Sequence, residues 1–79
     1  MSFQAKVKQT GQLFVGTNEV DKDGAWSKDA RKLEKGKSYV GYLFSAKSDA
    51  PGTLRKPAVE ILESDALEEL SVRIKLFVD

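Results

Sequence analysis

The sequence predicts a mainly β chain with a minor α component: a small five-stranded barrel or partly open antiparallel sheet, with one short helix near residues 64–70. Three observations predict it. Apolar and polar residues alternate with a period of two at both ends of the chain. Turn dipeptides, Thr10-Gly11, Asp23-Gly24 and Pro51-Gly52, punctuate the alternating runs. The length of 79 residues suits one domain spanning 1–79, and several short strands in so few residues close or pack as a small sheet.

Phe3, Ala5 and Val7 fall on one side of the first run and Gln4, Lys6 and Lys8 on the other, which is the pattern of a half-buried strand. Thr10-Gly11 then turns the chain, and QLFVGT places Leu13 and Val15 opposite Phe14, so residues 2–17 form a hairpin. Val20 and Trp26 end a second, shorter hairpin around Asp21-Lys22-Asp23-Gly24. Residues 27–35 fit either two helical turns, with Ser27 as N-cap and Gly36 as stop, or a loop.

Residues 37–47 form the next strand. Val40, Tyr42, Phe44 and Ala46 share one face and Tyr39, Gly41 and Leu43 the other; both are apolar, as in a central strand or one with a ligand-facing side. PAVEILESDALEEL reads as a strand near 57–62 and a short helix over 65–70 capped by Ser64, or as one helix from Pro57 with Val59, Leu62, Ala66 and Leu70 in a stripe. SVRIKLFVD alternates Val72, Ile74, Leu76 and Val78 with Arg73, Lys75 and Phe77 and predicts a last strand. The expected core is Phe3, Val7, Leu13, Val15, Leu43, Val59, Ile61, Leu70, Val72, Ile74 and Leu76.

Composition narrows the chemistry. Apolar residues make up 41% and charged residues 32%, as in a folded domain. There is no cysteine and no histidine, so disulfides, thiolate metal sites and the commonest general base are excluded. No serine has a lysine three residues on, so a Ser/Lys nucleophile is not expected. Asp21-Lys22-Asp23-Gly24 is a fragment of a calcium loop; the position of the bidentate glutamate is Ala30, so the turn reading stands. The glycines are dispersed singly and form no phosphate-cradling loop. The expectation is a protein that binds without catalysing a reaction and takes no cofactor. No apolar run is long enough to span a membrane and no secretory h-region opens the chain, which predicts a cytoplasmic protein. A chain this small without disulfides gains from oligomerisation, so a homodimer is expected.

Two surfaces are candidates. Lys28, Arg31, Lys32, Lys35 and Lys37 run into Tyr39, Tyr42 and Phe44, followed by Lys47. Cations along phosphates and ring faces under bases bind single-stranded nucleic acid. Lys32, Lys35, Lys37 and Lys47 would neutralise phosphates, and Tyr39, Tyr42 and Phe44 would stack. The same rings also suit a small core. The second candidate is the acidic set Glu60, Glu63, Asp65, Glu68 and Glu69, or an exposed sheet edge, as the contact surface of a regulator or inhibitor that binds a protein. Charge is segregated along the chain: residues 1–48 carry nine Lys/Arg against five Asp/Glu, and residues 49–79 four against seven. In size, lack of cysteine and its tyrosine–lysine strand the chain loosely resembles the small single-strand-binding proteins of filamentous phages. No motif of that family matches residue by residue, so the resemblance assigns no residue a role.

Overall fold

Six strands build one antiparallel sheet in the computed structural model, which describes residues 2–50, 52 and 54–76. They are β1 (Phe3–Val7), β2 (Gln12–Val20), β3 (Trp26–Asp29), β4 (Ser38–Lys47), β5 (Ala58–Glu63) and β6 (Leu67–Glu69), with a 3-10 turn over Ser64–Ala66. The order across the sheet is β5-β4-β2-β1-β6, and β3 also pairs with β2. Because β4 follows β2 along its whole length, β1 and β3 share the other side of β2, end to end. The sheet is open rather than a barrel, with β5 and β6 as its outer strands.

The hairpin of residues 2–17 forms as expected, with Gly11 at φ 77° in its turn. So does the shorter hairpin, where Val20 pairs with Trp26. The Asp21 carboxylate accepts hydrogen bonds from the Asp23 and Ala25 amides, both at 2.9 Å, which makes it a turn-forming group. Residues 27–35 are not a helix: Trp26–Asp29 pair with β2, and the chain from 30 to 37 then crosses the sheet irregularly. The expected helix over 65–70 is likewise replaced by the turn at 64–66 and strand β6. Ser64 does not cap it; its hydroxyl accepts the Gly36 amide at 3.0 Å. The last expected strand does not form over residues 71–76; Phe77 and Val78 lie outside the described residues, as does Pro51.

Cross-strand register assigns the side chains to two faces. Phe3, Ala5, Phe14, Gly16, Tyr39, Gly41, Leu43 and Leu62 share the front. Gln4, Leu13, Val15, Val40, Tyr42, Phe44, Val59 and Ile61 share the back. Each face has its own core. In front, Phe3, Ala5, Phe14 and Tyr39 pack with Leu67 under Ala30 and Leu33. The Phe3 ring meets the Tyr39 ring edge-on, with centroids 4.8 Å apart. Behind, Leu13, Val15 and Phe44 pack with Leu54 under Leu70, Ile74 and Leu76. Two glycines permit close approach between neighbouring strands of the sheet. A Cβ on Gly16 would strike the Phe3 ring, and one on Gly41 would strike the Val15 carbonyl and the Gly16 backbone.

The back cover explains the missing strand. Gln4 is buried, donates from Nε2 to the Ile74 carbonyl at 2.7 Å and accepts the Ile74 amide on Oε1. Its carbonyl also accepts the Leu70 amide at 3.0 Å. One side-chain amide thus does for Ile74 what a neighbouring strand would do, and the segment crosses the back face instead of extending the sheet. Of the expected core, Val59, Ile61 and Val72 are exposed, while Phe14, Tyr39, Phe44 and Leu54, which that set leaves out, are buried.

Candidate interaction surface

β4 carries the expected rings, and its pleat separates them. Tyr39 points into the front core and is fully buried; its hydroxyl accepts the Glu34 amide at 2.8 Å. Burial pushes the Tyr39 phenol above its usual value. Phe44 is buried behind, under Leu54 and the segment 70–76. Tyr42 alone of the three offers a ring to solvent, at 45% exposure. Tyr39, Tyr42 and Phe44 therefore share no stacking surface, because two of them fill the cores.

The lysines are dispersed as well. Lys32, Lys35 and Lys47 are exposed. Lys37 is half-buried and pairs with Glu34 at 2.6 Å and Glu19 at 3.0 Å. The hydrogen bond from Lys37 holds the Glu34 carboxyl below its usual value, and Glu34 and Glu19 push the Lys37 ammonium up. Glu19 also takes Lys28 at 3.7 Å. Register puts Glu19 on the front with Tyr39, so this ionic cluster lies on the opposite face from the exposed Tyr42 ring. In the same region Lys28, Arg31 and Lys32 share a cleft of about 510 Å3 with Glu19, Asp29 and Glu34.

The acidic set is divided between the two edges. Glu60 and Glu63 are exposed on β5; Glu68 and Glu69 are on β6 at the far side of the sheet, with exposed Asp65 in the turn between. Glu68 pairs with Lys6 at 3.3 Å, and Glu69 accepts the Leu33 amide, tying the 30–37 crossing to the front face. There is no single acidic helical face.

What the fold does assemble went unnoticed in the sequence. Tyr42 pairs with Val59, and Val40 with Ile61, on the back face. Tyr42, Val59 and Ile61 are 45%, 61% and 53% exposed. One row further, Trp26 pairs with Val20 and Val20 with Ser38, which places the exposed Trp26 on the same face. The back face is therefore covered at one end, by Leu54 and residues 70–76, and open at the other over Tyr42, Val59 and Ile61, among which Val40 is buried. The bare end runs to β5, whose outer side has no strand partner among the described residues. The signal lay in β5 itself, where Val59 and Ile61 alternate with Glu60; counting both as core hid it.

Among the described residues no group of three or more carboxylates is placed to hold a metal ion, and no helix is long and apolar enough to cross a membrane. The class that fold and surface define is a small open antiparallel sheet with one half-bare face. Comparison with protein-family models, with curated proteins and with solved structures finds no match.

Proposed function

We propose that this is a non-enzymatic binding protein that docks a protein partner on the bare end of its back face and along β5. The observation that carries the reading is the contiguity of Tyr42, Val59 and Ile61 with an unpaired strand edge. Exposed apolar side chains grouped on one face mark interaction sites, and a free edge offers backbone groups to an added strand. Glu63, which shares the back face through its pairing with Ser38, favours a partner with a basic residue at the rim. Affinity capture from the source cell tests this with wild type and Ile61→Lys. A stoichiometric protein retained by wild type and lost from the variant supports the reading; no such protein, or one held equally by both, overturns it.

Nucleic acid is the second reading, and the three cations around one cleft favour it. It predicts that a labelled single-stranded oligonucleotide binds at low salt and is released as salt rises. The carboxylates in the same cleft and the loss of Tyr39 and Phe44 to the cores weigh against it.

A further inference from the structure

β5 carries few of the devices that keep edge strands apart. Edges are blunted by shortness, bulges, proline or charged side chains, lysine above all, and of these β5 has only the charges of Glu60 and Glu63. β6 has three residues, and β3 has four with a register shift. β5 has six, paired on β4 without any shift from Ser38↔Glu63 to Leu43↔Ala58, and contains neither lysine nor proline.

Its sequence is also symmetric in polarity. In Ala58-Val59-Glu60-Ile61-Leu62, two apolar residues flank Glu60 on each side. We propose that β5 pairs antiparallel with β5 of a second copy of this chain about a dyad at Glu60. This rests on the reading of β5 and the bare face as a protein-docking surface and names the partner at the edge. On the back face Val59 meets the partner's Ile61, twice by symmetry. On the front Ala58 meets the partner's Leu62, also twice. Tyr42 lies beside these pairs on β4, with Val40 buried next to it, so exposed apolar side chains continue from each copy to the seam. A dyad at Ile61 instead sets Val59 against the partner's Glu63 and Leu62 against the partner's Glu60, and keeps one apolar pair. A dyad at Val59 sets Ala58 against the partner's Glu60.

The chosen register has one adverse contact, Glu60 against the partner's Glu60, and the contact is smaller than a standard interface. The dimer is therefore weak, with a dissociation constant of about 10–1000 μM. Directly opposed like charges across a strand pair are destabilising, so Glu60→Gln tightens the dimer by about two- to fivefold.

Sedimentation equilibrium up to millimolar protein tests the proposal with wild type, Glu60→Gln, Val59→Lys and Ile61→Lys, each checked for native circular dichroism. Reversible dimerisation, tightened by Glu60→Gln and weakened at least tenfold by either lysine, is expected. Val59 and Ile61 are exposed in the single chain, so the lysine variants retain the fold. A wild type that stays monomeric, a dimer indifferent to Ile61→Lys, or a constant not tightened by Glu60→Gln overturns it. A monomer that still captures a partner through Ile61 defeats the dimer alone. A dimer with no captured partner defeats only the broader reading.

Discussion

Tyr39 and Tyr42 are three residues apart on β4 and face opposite ways. The alternation of the strand made that separation readable. Which ring stays wet was not readable, because the covers come from far along the chain: Ala30 and Leu33 in front, Leu54 and residues 70–76 behind. For Tyr39 the consequence is measurable. Burial raises its pKa, against a lowering by the backbone hydrogen bond at Glu34, and the Glu19 and Glu34 carboxylates add to the rise. A group held protonated by the fold contributes stability below its unfolded value, about 10, and that contribution is lost as pH rises through the folded value. In an ultraviolet titration of phenolate absorbance, one of the two tyrosines is expected to ionise only together with alkaline unfolding. Tyr39→Phe should remove that phase. Ionisation of both rings in a still-folded protein would refute the burial of Tyr39.

At the scale of elements, strands with local partners were legible and crossings were not. β1 and β2 share a tight turn, β4 reads as a strand apolar on both faces, and β5 is one of two readings, a strand or the start of a helix at Pro57. Residues 71–76 alternate cleanly, but an extended segment lying across a sheet has the same period as a strand within one. What sets it across the back is Gln4, a polar residue on a face that reads as solvated in sequence. Similarly, SKDARKLEK has helix formers but is drawn into a sheet pairing and then a crossing, fixed by the Leu33 amide on Glu69 and the Glu34 amide on Tyr39. Gln4→Ala removes both side-chain bonds to Ile74 and leaves its groups under-satisfied, at a cost of about 1–3 kcal/mol. Amide exchange at Ile74 and tryptic cleavage after Arg73 should both accelerate, while the β4 amides respond only through the lower global stability. Unchanged exchange at Ile74 would show that Gln4 does not hold the segment.

For the whole molecule, charge segregation in sequence does not become charge segregation in space. The acidic part of the chain supplies both outer strands, β5 and β6, and the basic part supplies the middle, so Lys6 meets Glu68 and no two poles form. What organises the molecule is one sheet carrying two cores, so removing a ring from either core should lower the stability of the whole fold rather than of one face. A chain of this size has roughly 4–12 kcal/mol of stability, at about 0.05–0.15 kcal/mol per residue. Phe44→Ala empties a position that is only 3% exposed, at a cost of about 3–5 kcal/mol. That is a large share of the total, and the loss falls on the sheet that also backs Phe14 and Tyr39. Tyr42→Ala, at an exposed site two residues away on the same face, should change stability by less than about 1 kcal/mol. Urea unfolding of the two variants therefore separates a structural ring from a surface ring. A Phe44→Ala protein as stable as wild type would mean that the back cover is not packed as described, and that the whole back face is available to a ligand.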